Sequence, residues 1–159
     1  MKAIAGVLCL IGLVSTAEAC RCDLNGASFE HLAKNATLVV QGIVDSQASP
    51  KGSIQVSVSR VLKGSLDRAA EPIRVWGDDG KLCRPYVSTF PPGTEWVFVL
   101  DNRSFHGFPR QPGPRDYSLS ICGAYWLRVE GNRVSGRIRD AAAGETMSVD
   151  QFLKLLGKS

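Results

Sequence analysis

The sequence predicts a mainly β fold: five or six short strands closing wholly or partly into a small barrel, with one short helix at each end. Apolar runs rich in Val, Ile, Trp and Phe recur between clusters of Gly, Pro, Asn and Asp, which is strand-and-turn punctuation. Helical spacing appears only near the two ends. Neither an internal repeat nor a long linker divides the chain. A β-sandwich is the second arrangement compatible with this pattern.

The elements follow in order. Residues 26–36 carry Phe29, Leu32 and Ala33 at i, i+3, i+4, a short helix. Thr37 to Val44 is a strand, expected to stop at the turn-favouring Asp45 and Ser46. Ser49 to Ser53 is a turn, and Ile54 to Leu62 alternates apolar and polar residues at its start, a half-buried strand ended by Lys63-Gly64-Ser65. Pro72 to Trp76 is a third strand, closed by Gly77 to Gly80, and Glu95 to Leu100 a fourth. The Pro- and Gly-rich stretch 102–116 is a loop. Tyr117 to Cys122 and Ala124 to Glu130 supply a fifth and a sixth strand, and Gly131-Asn132 turns the chain toward a possible partner at Arg133 to Ile138. At the end, Ser148 and Gln151 form a capping box, followed by one apolar stripe of Val149, Phe152, Leu153 and Leu156.

The chain has 159 residues, 44% hydrophobic and 21% charged, which fits one globular domain with a sizeable core and excludes wholesale disorder. Its net charge of +4 is too small to point to nucleic acid. Outside the N-terminus there is no apolar stretch long enough for a membrane helix.

The first 19 residues read as a signal peptide. Lys2 supplies the positive start, Ala3 to Val14 the apolar segment, and Ala17-Glu18-Ala19 the small-x-small cleavage pattern. Cleavage after Ala19 leaves residues 20–159 as one secreted domain, extracellular or periplasmic, that begins at Cys20. Ala17, rather than Leu, three positions before Cys20 argues against a lipid anchor there.

After cleavage Cys20, Cys22, Cys83 and Cys122 remain. Four cysteines in an exported domain imply two disulfides. A bond between Cys20 and Cys22 would be strained, so each takes Cys83 or Cys122, and sequence order leaves both pairings open. The spacing is C-x-C with two isolated cysteines, unlike the paired C-x-x-C knuckles of a zinc ribbon.

Catalytic chemistry is not evident. His31, His106, Asp78-Asp79, Ser118 and Ser120 sit in no recognisable catalytic arrangement, and no phosphate loop, dinucleotide fingerprint or metalloprotease motif occurs. The expectation is a protein that is not an enzyme and carries no cofactor or metal of its own. Trp76, Trp96 and Trp126 read as packing residues of strands, and Asn35-Ala36-Thr37 and Asn102-Arg103-Ser104 match the glycosylation triplet.

The unusual feature is the N-terminus. A chain beginning Cys-x-Cys and clamped by two disulfides holds its α-amine rigidly. That amine titrates near about 7.7–8.0, so part of it is neutral at physiological pH. With the carbonyl oxygen of the same residue it can chelate a metal, such as the catalytic zinc of a protease, which keeps a position open.

Signal peptide, immediate Cys20-Arg21-Cys22, helix, strand, a Cys after the third strand and another after the fifth together resemble the tissue inhibitors of metalloproteinases and the wider netrin-like module. The likeness covers residues 20 to about 138. It implies an OB-type barrel, disulfides Cys20–Cys83 and Cys22–Cys122, and inhibition of a zinc metalloendopeptidase. Cys20 would chelate the target's zinc, Arg21 would enter the specificity pocket, and Leu82, Cys83 and Arg84 would form the neighbouring contact ridge. The implied partner is the protease, with neither nucleic acid nor membrane, and the inhibitor is a monomer. The chain departs from the family in having Arg21 where Ser or Thr is usual and Leu24 where Pro is common. It also lacks the cysteines for a third disulfide of the module or for a second Cys-rich domain. The other reading is a netrin-like module that binds protein or glycan without inhibiting, its cysteines only stapling one end of the barrel.

Overall fold

The structure is a computed structural model that describes residues 26–48, 52–68, 70–78, 83–100, 112–139 and 144–157. It is mainly β. Helix α1 (Phe29–Asn35) precedes strands β1 (Leu38–Ala48), β2 (Ser53–Lys63), β3 (Ile73–Trp76) and β4 (Glu95–Leu100). Strands β5 (Asp116–Ser118), β6 (Trp126–Glu130), β7 (Arg133–Gly136) and β8 (Glu145–Ser148) follow, and helix α2 (Val149–Leu155) comes last.

One sheet holds all eight strands, in the order β5-β3-β2-β1-β4-β6-β7-β8, rather than the two sheets of a sandwich. Every pairing is antiparallel except β3 with β5, which run parallel. The ends of this order, β5 and β8, are not paired with each other among the described residues.

Alternation along the central strands splits the core in two. In β4, Trp96, Phe98 and Leu100 point to one cluster, and Val97 and Val99 to the other. Leu38 and Val40 of β1 join the first cluster, and Val39 the second. A period of two residues buried on both faces produces this pattern. The first cluster gathers residues from β1, β2, β3, β4 and β5 around Phe90, whose ring lies 5.1 Å from Trp96, 5.4 Å from Phe98 and 5.5 Å from Trp126. In the second, both helices cover the opposite face, with Phe29 and Phe152 rings 5.7 Å apart.

Both helices form where the apolar spacing predicts. Ser28 caps α1 by accepting from the His31 amide at 3.2 Å, and Phe29, Leu32 and Ala33 are buried. The Lys63 ammonium closes the other end, donating to the Ala33 and Lys34 carbonyls at 2.9 and 2.6 Å. The capping box of α2 is formed as expected, with the Ser148 hydroxyl accepting from the Gln151 amide and Gln151 Oε1 accepting from the Ser148 amide.

Three expectations need correction. First, the sheet has eight strands rather than five or six, because β7 forms and β8, which the sequence does not announce, pairs with it along Gly136 to Arg133. Second, β1 does not stop at Asp45 but runs on to Ala48. The register against β2 shifts between Val44 and Ser46, so Asp45 is accommodated as a bulge, and its carboxylate accepts from the Ser57 hydroxyl at 2.7 Å. Two further shifts in the same pair, at Val39/Val40 and Gln41/Gly42, add bend and twist. Third, β5 ends at Ser118, and 119–125 is irregular chain rather than strand.

Candidate functional site

The first described residues sit at one end of the sheet, held from both sides. The Arg137 guanidinium donates to the Gly26 carbonyl, and the Ala124 amide donates to the Ala27 carbonyl at 3.0 Å. The Phe29 and Glu30 amides donate to the Arg137 and Ile138 carbonyls at 3.0 and 2.9 Å. The start of the described chain thus lies between the segment after β5 and the segment after β7.

The same place receives the connection between β3 and β4. Gly77 accepts no side chain, since a Cβ there would fall 2.6 Å from the Pro85 carbonyl oxygen. That close approach lets the Asp78 amide donate to the Pro85 carbonyl at 2.8 Å, and Asp78 bridges Tyr86. Further out, the Ile121 amide donates to the Cys83 carbonyl at 3.3 Å, so the segments carrying Cys83 and Cys122 run side by side. The Ser120 hydroxyl accepts from the Cys122 amide at 3.0 Å and turns the chain there. Cys83 and Cys122 are both disulfide-bonded.

The surface at this seam is apolar in part. Tyr86 is 61% exposed and Ile121 45%, two of the three large apolar residues so exposed among the described ones. Cys83 is exposed, whereas Arg84 is buried at 6%. A cleft of about 380 Å³ opens beside the seam, lined by Gly26, Ile121, Trp126, Arg128 and Arg137 among others.

Of the residues singled out from sequence, the structure brings Cys83, Arg84 and the chain around Cys122 to one end of the sheet. Cys20, Arg21, Cys22 and Leu82 lie outside the described residues, as do the signal segment, Asp79, Asn102 and His106. His31 is exposed on α1, and Trp76 and Trp96 are buried as packing residues. Asn35 is exposed at the end of α1, its amide donating to the His31 carbonyl at 3.2 Å. Tyr86 and Ile121 were not singled out. Ile121 read as the interior of a strand that ends three residues earlier, and nothing local marks Tyr86.

Among the described residues, no three or more His, Cys, Asp or Glu side chains gather as a metal site, and no helix is long and apolar enough to cross a membrane. No protein-family model matches the chain, and no curated protein matches it either.

Proposed function

We propose that this chain is an exported inhibitor of zinc metalloendopeptidases, a single-domain protein of the tissue-inhibitor type. Residues 1–19 direct export, and residues 20–159 form an OB-type domain. The observation that carries the reading is the seam at one end of the sheet. Two disulfide-bonded cysteines, Cys83 and Cys122, lie on segments joined by the Ile121–Cys83 hydrogen bond, beside the point where the described chain begins.

The reach of the chain is compatible with the pairing Cys20–Cys83 and Cys22–Cys122. Cys22 precedes Gly26 by four residues and Cys20 by six, spans of at most about 14 and 21 Å when extended. The Gly26 carbonyl is itself held by Arg137 beside Ala124. The barrel reading is supported by the order β5-β3-β2-β1-β4, by the parallel β3–β5 pair, and by a single apolar cluster gathered from those five strands. The β1–β2 bulges supply the bend that rolling a sheet needs.

Two disulfides at the N-terminus would fix the Cys20 α-amine and carbonyl as a preorganised bidentate ligand, so that little ordering entropy is lost on docking. The neutral amine and the carbonyl oxygen then fill the open position of the protease zinc. Arg21 follows the chelating residue into the neighbouring pocket, where its charge favours an acidic or water-filled lining over a purely apolar one. Leu82 and Cys83 extend the contact surface, whereas Arg84, expected beside them in the ridge, is buried.

Acetylating the α-amine of folded protein that begins at Cys20 tests the chemistry. Loss of inhibition with retained folding supports chelation, and undiminished inhibition excludes it.

A further inference from the structure

The cleft beside the seam has a chemistry that zinc chelation does not use. Trp96, Arg128 and Ser135 form one row across β4, β6 and β7, because Trp96 pairs with Arg128 and Arg128 with Ser135. Directly paired residues share a face of the sheet, so all three present to the same side. Trp126, two residues before Arg128, shares that face, and Ile121 and Arg137 complete the walls.

The Arg128 guanidinium lies over the Trp96 ring, 4.8 Å from its centroid. A guanidinium held over an indole face still has N–H groups to offer an acceptor. Its carboxylate neighbour Glu130 is 3.4 Å away but 73% exposed, so water screens that pair. Arg137 bonds a neutral acceptor, the Gly26 carbonyl, and among the described residues no carboxylate is paired with it. Among the described residues, two guanidiniums and one carboxylate thus give the cleft one excess positive charge next to indole and aliphatic surface. A monoanion with an apolar body matches this better than a bare or doubly charged ion, and guanidinium N–H groups suit the two oxygens of a carboxylate. The volume of about 380 Å³ falls within the small-ligand range.

We infer that this cleft binds a carboxylate carried on an apolar, ring-bearing body, the size of an N-blocked aromatic amino acid or the last residue of a peptide. The site shares Ile121 with the seam but holds its ligand through Arg128 and Arg137 rather than through the Cys20 amine.

The test is a titration of the folded chain, read by tryptophan emission, since two of its three indoles line the cleft. The probes are N-acetylphenylalanine, its carboxamide, a short peptide ending in free phenylalanine, and inorganic sulfate. The acid and the peptide give saturable binding, and whichever is tighter tells a free small molecule from a peptide terminus. The carboxamide binds roughly tenfold more weakly or worse, having lost the charge-assisted hydrogen bonds. Sulfate gives no saturable change. Arg128→Gln weakens the acid by a similar factor, whereas Arg60→Gln, on the exposed part of β2 outside the cleft, leaves it unchanged. Equal affinity for acid and carboxamide, sulfate binding as tight as the acid, or no saturable signal overturns the inference. The acid–carboxamide comparison uses the unaltered chain, so it decides the matter even if Arg128→Gln fails to fold. No protease is present, so either proposal can fail alone.

Discussion

The Ile121 amide donates to the Cys83 carbonyl at 3.3 Å, tying the connection after β3 to the chain after β5. Ile121, whose amide makes this bond, and Tyr86, three residues after Cys83, are both exposed. Exposed aromatic and aliphatic residues at the centre of a contact carry a large share of binding energy while contributing little to the fold. The double variant Tyr86→Ser/Ile121→Ser is therefore expected to unfold within about 1 kcal/mol of the parent. Its inhibition of a susceptible zinc protease weakens by roughly tenfold or more. Urea denaturation and an inhibition titration on the same sample read both effects, and unchanged inhibition removes the seam from the contact surface.

Gly42 packs closely against β2. A Cβ there would sit 2.6 Å from the Ser57 carbonyl oxygen and 2.7 Å from Val56 Cγ1. The first neighbour is backbone, so the strands themselves must part. Gly42→Ala is expected to cost about 1–3 kcal/mol, the range for overpacking a filled site. Gly131→Ala, where a Cβ meets nothing within 4 Å but φ is +57°, costs about 1–2 kcal/mol through backbone strain alone. Chemical denaturation of the two variants separates the mechanisms, because only Gly42→Ala should also disturb amide shifts along β2.

Phe152 joins α2 to α1 through Phe29, and both rings are buried at 1% exposure or less. Phe152→Ala is expected to destabilise the fold by about 3–5 kcal/mol. Removing the cap with Ser148→Ala costs about 1 kcal/mol. A helix that merely decorates the sheet would show a much smaller loss for Phe152→Ala in the same urea titration.

Arg139 and Glu145 bracket the connection from β7 to β8, with the guanidinium donating to the carboxylate at 2.8 Å and the Arg139 amide donating to its other oxygen at 2.8 Å. These hydrogen bonds hold the Glu145 carboxyl below its ordinary value of 4.5. A depressed folded value means the stabilisation is fully present above the unfolded value and is lost as pH falls through the folded one. Thermal midpoints should therefore drop as pH falls below about 4.5, and Glu145→Gln should flatten that part of the profile while lowering the midpoint at neutral pH. Parallel acid limbs in parent and variant would falsify this role.

Much of the fold was legible in the sequence for a physical reason: β4 alternates large apolar residues without interruption, and the helices carry both stripe and cap. What was not legible depended on partners distant in sequence. Asp45 looks like a strand end, but a bulge opposite β2 absorbs it and lets the strand continue. Glu145 to Ser148 offers only Met147 as an apolar anchor, so its strand exists because β7 presents an open edge. At the site, the cysteine arrangement was visible, but the exposure of Tyr86 and Ile121 arises only when two distant segments meet. The row of Trp96, Arg128 and Ser135 likewise comes from three different strands.

The central claim is that a free Cys20 amine makes the inhibitor. The most direct measurement titrates a panel of zinc metalloendopeptidases with oxidised protein beginning at Cys20 and with the same protein carrying one extra N-terminal Ala. The account predicts that the first inhibits at least one protease and that the added residue abolishes it while leaving the unfolding midpoint unchanged. Failure of both forms across the panel, or equal inhibition by both, contradicts zinc chelation and favours a module that binds partners through its folded surface.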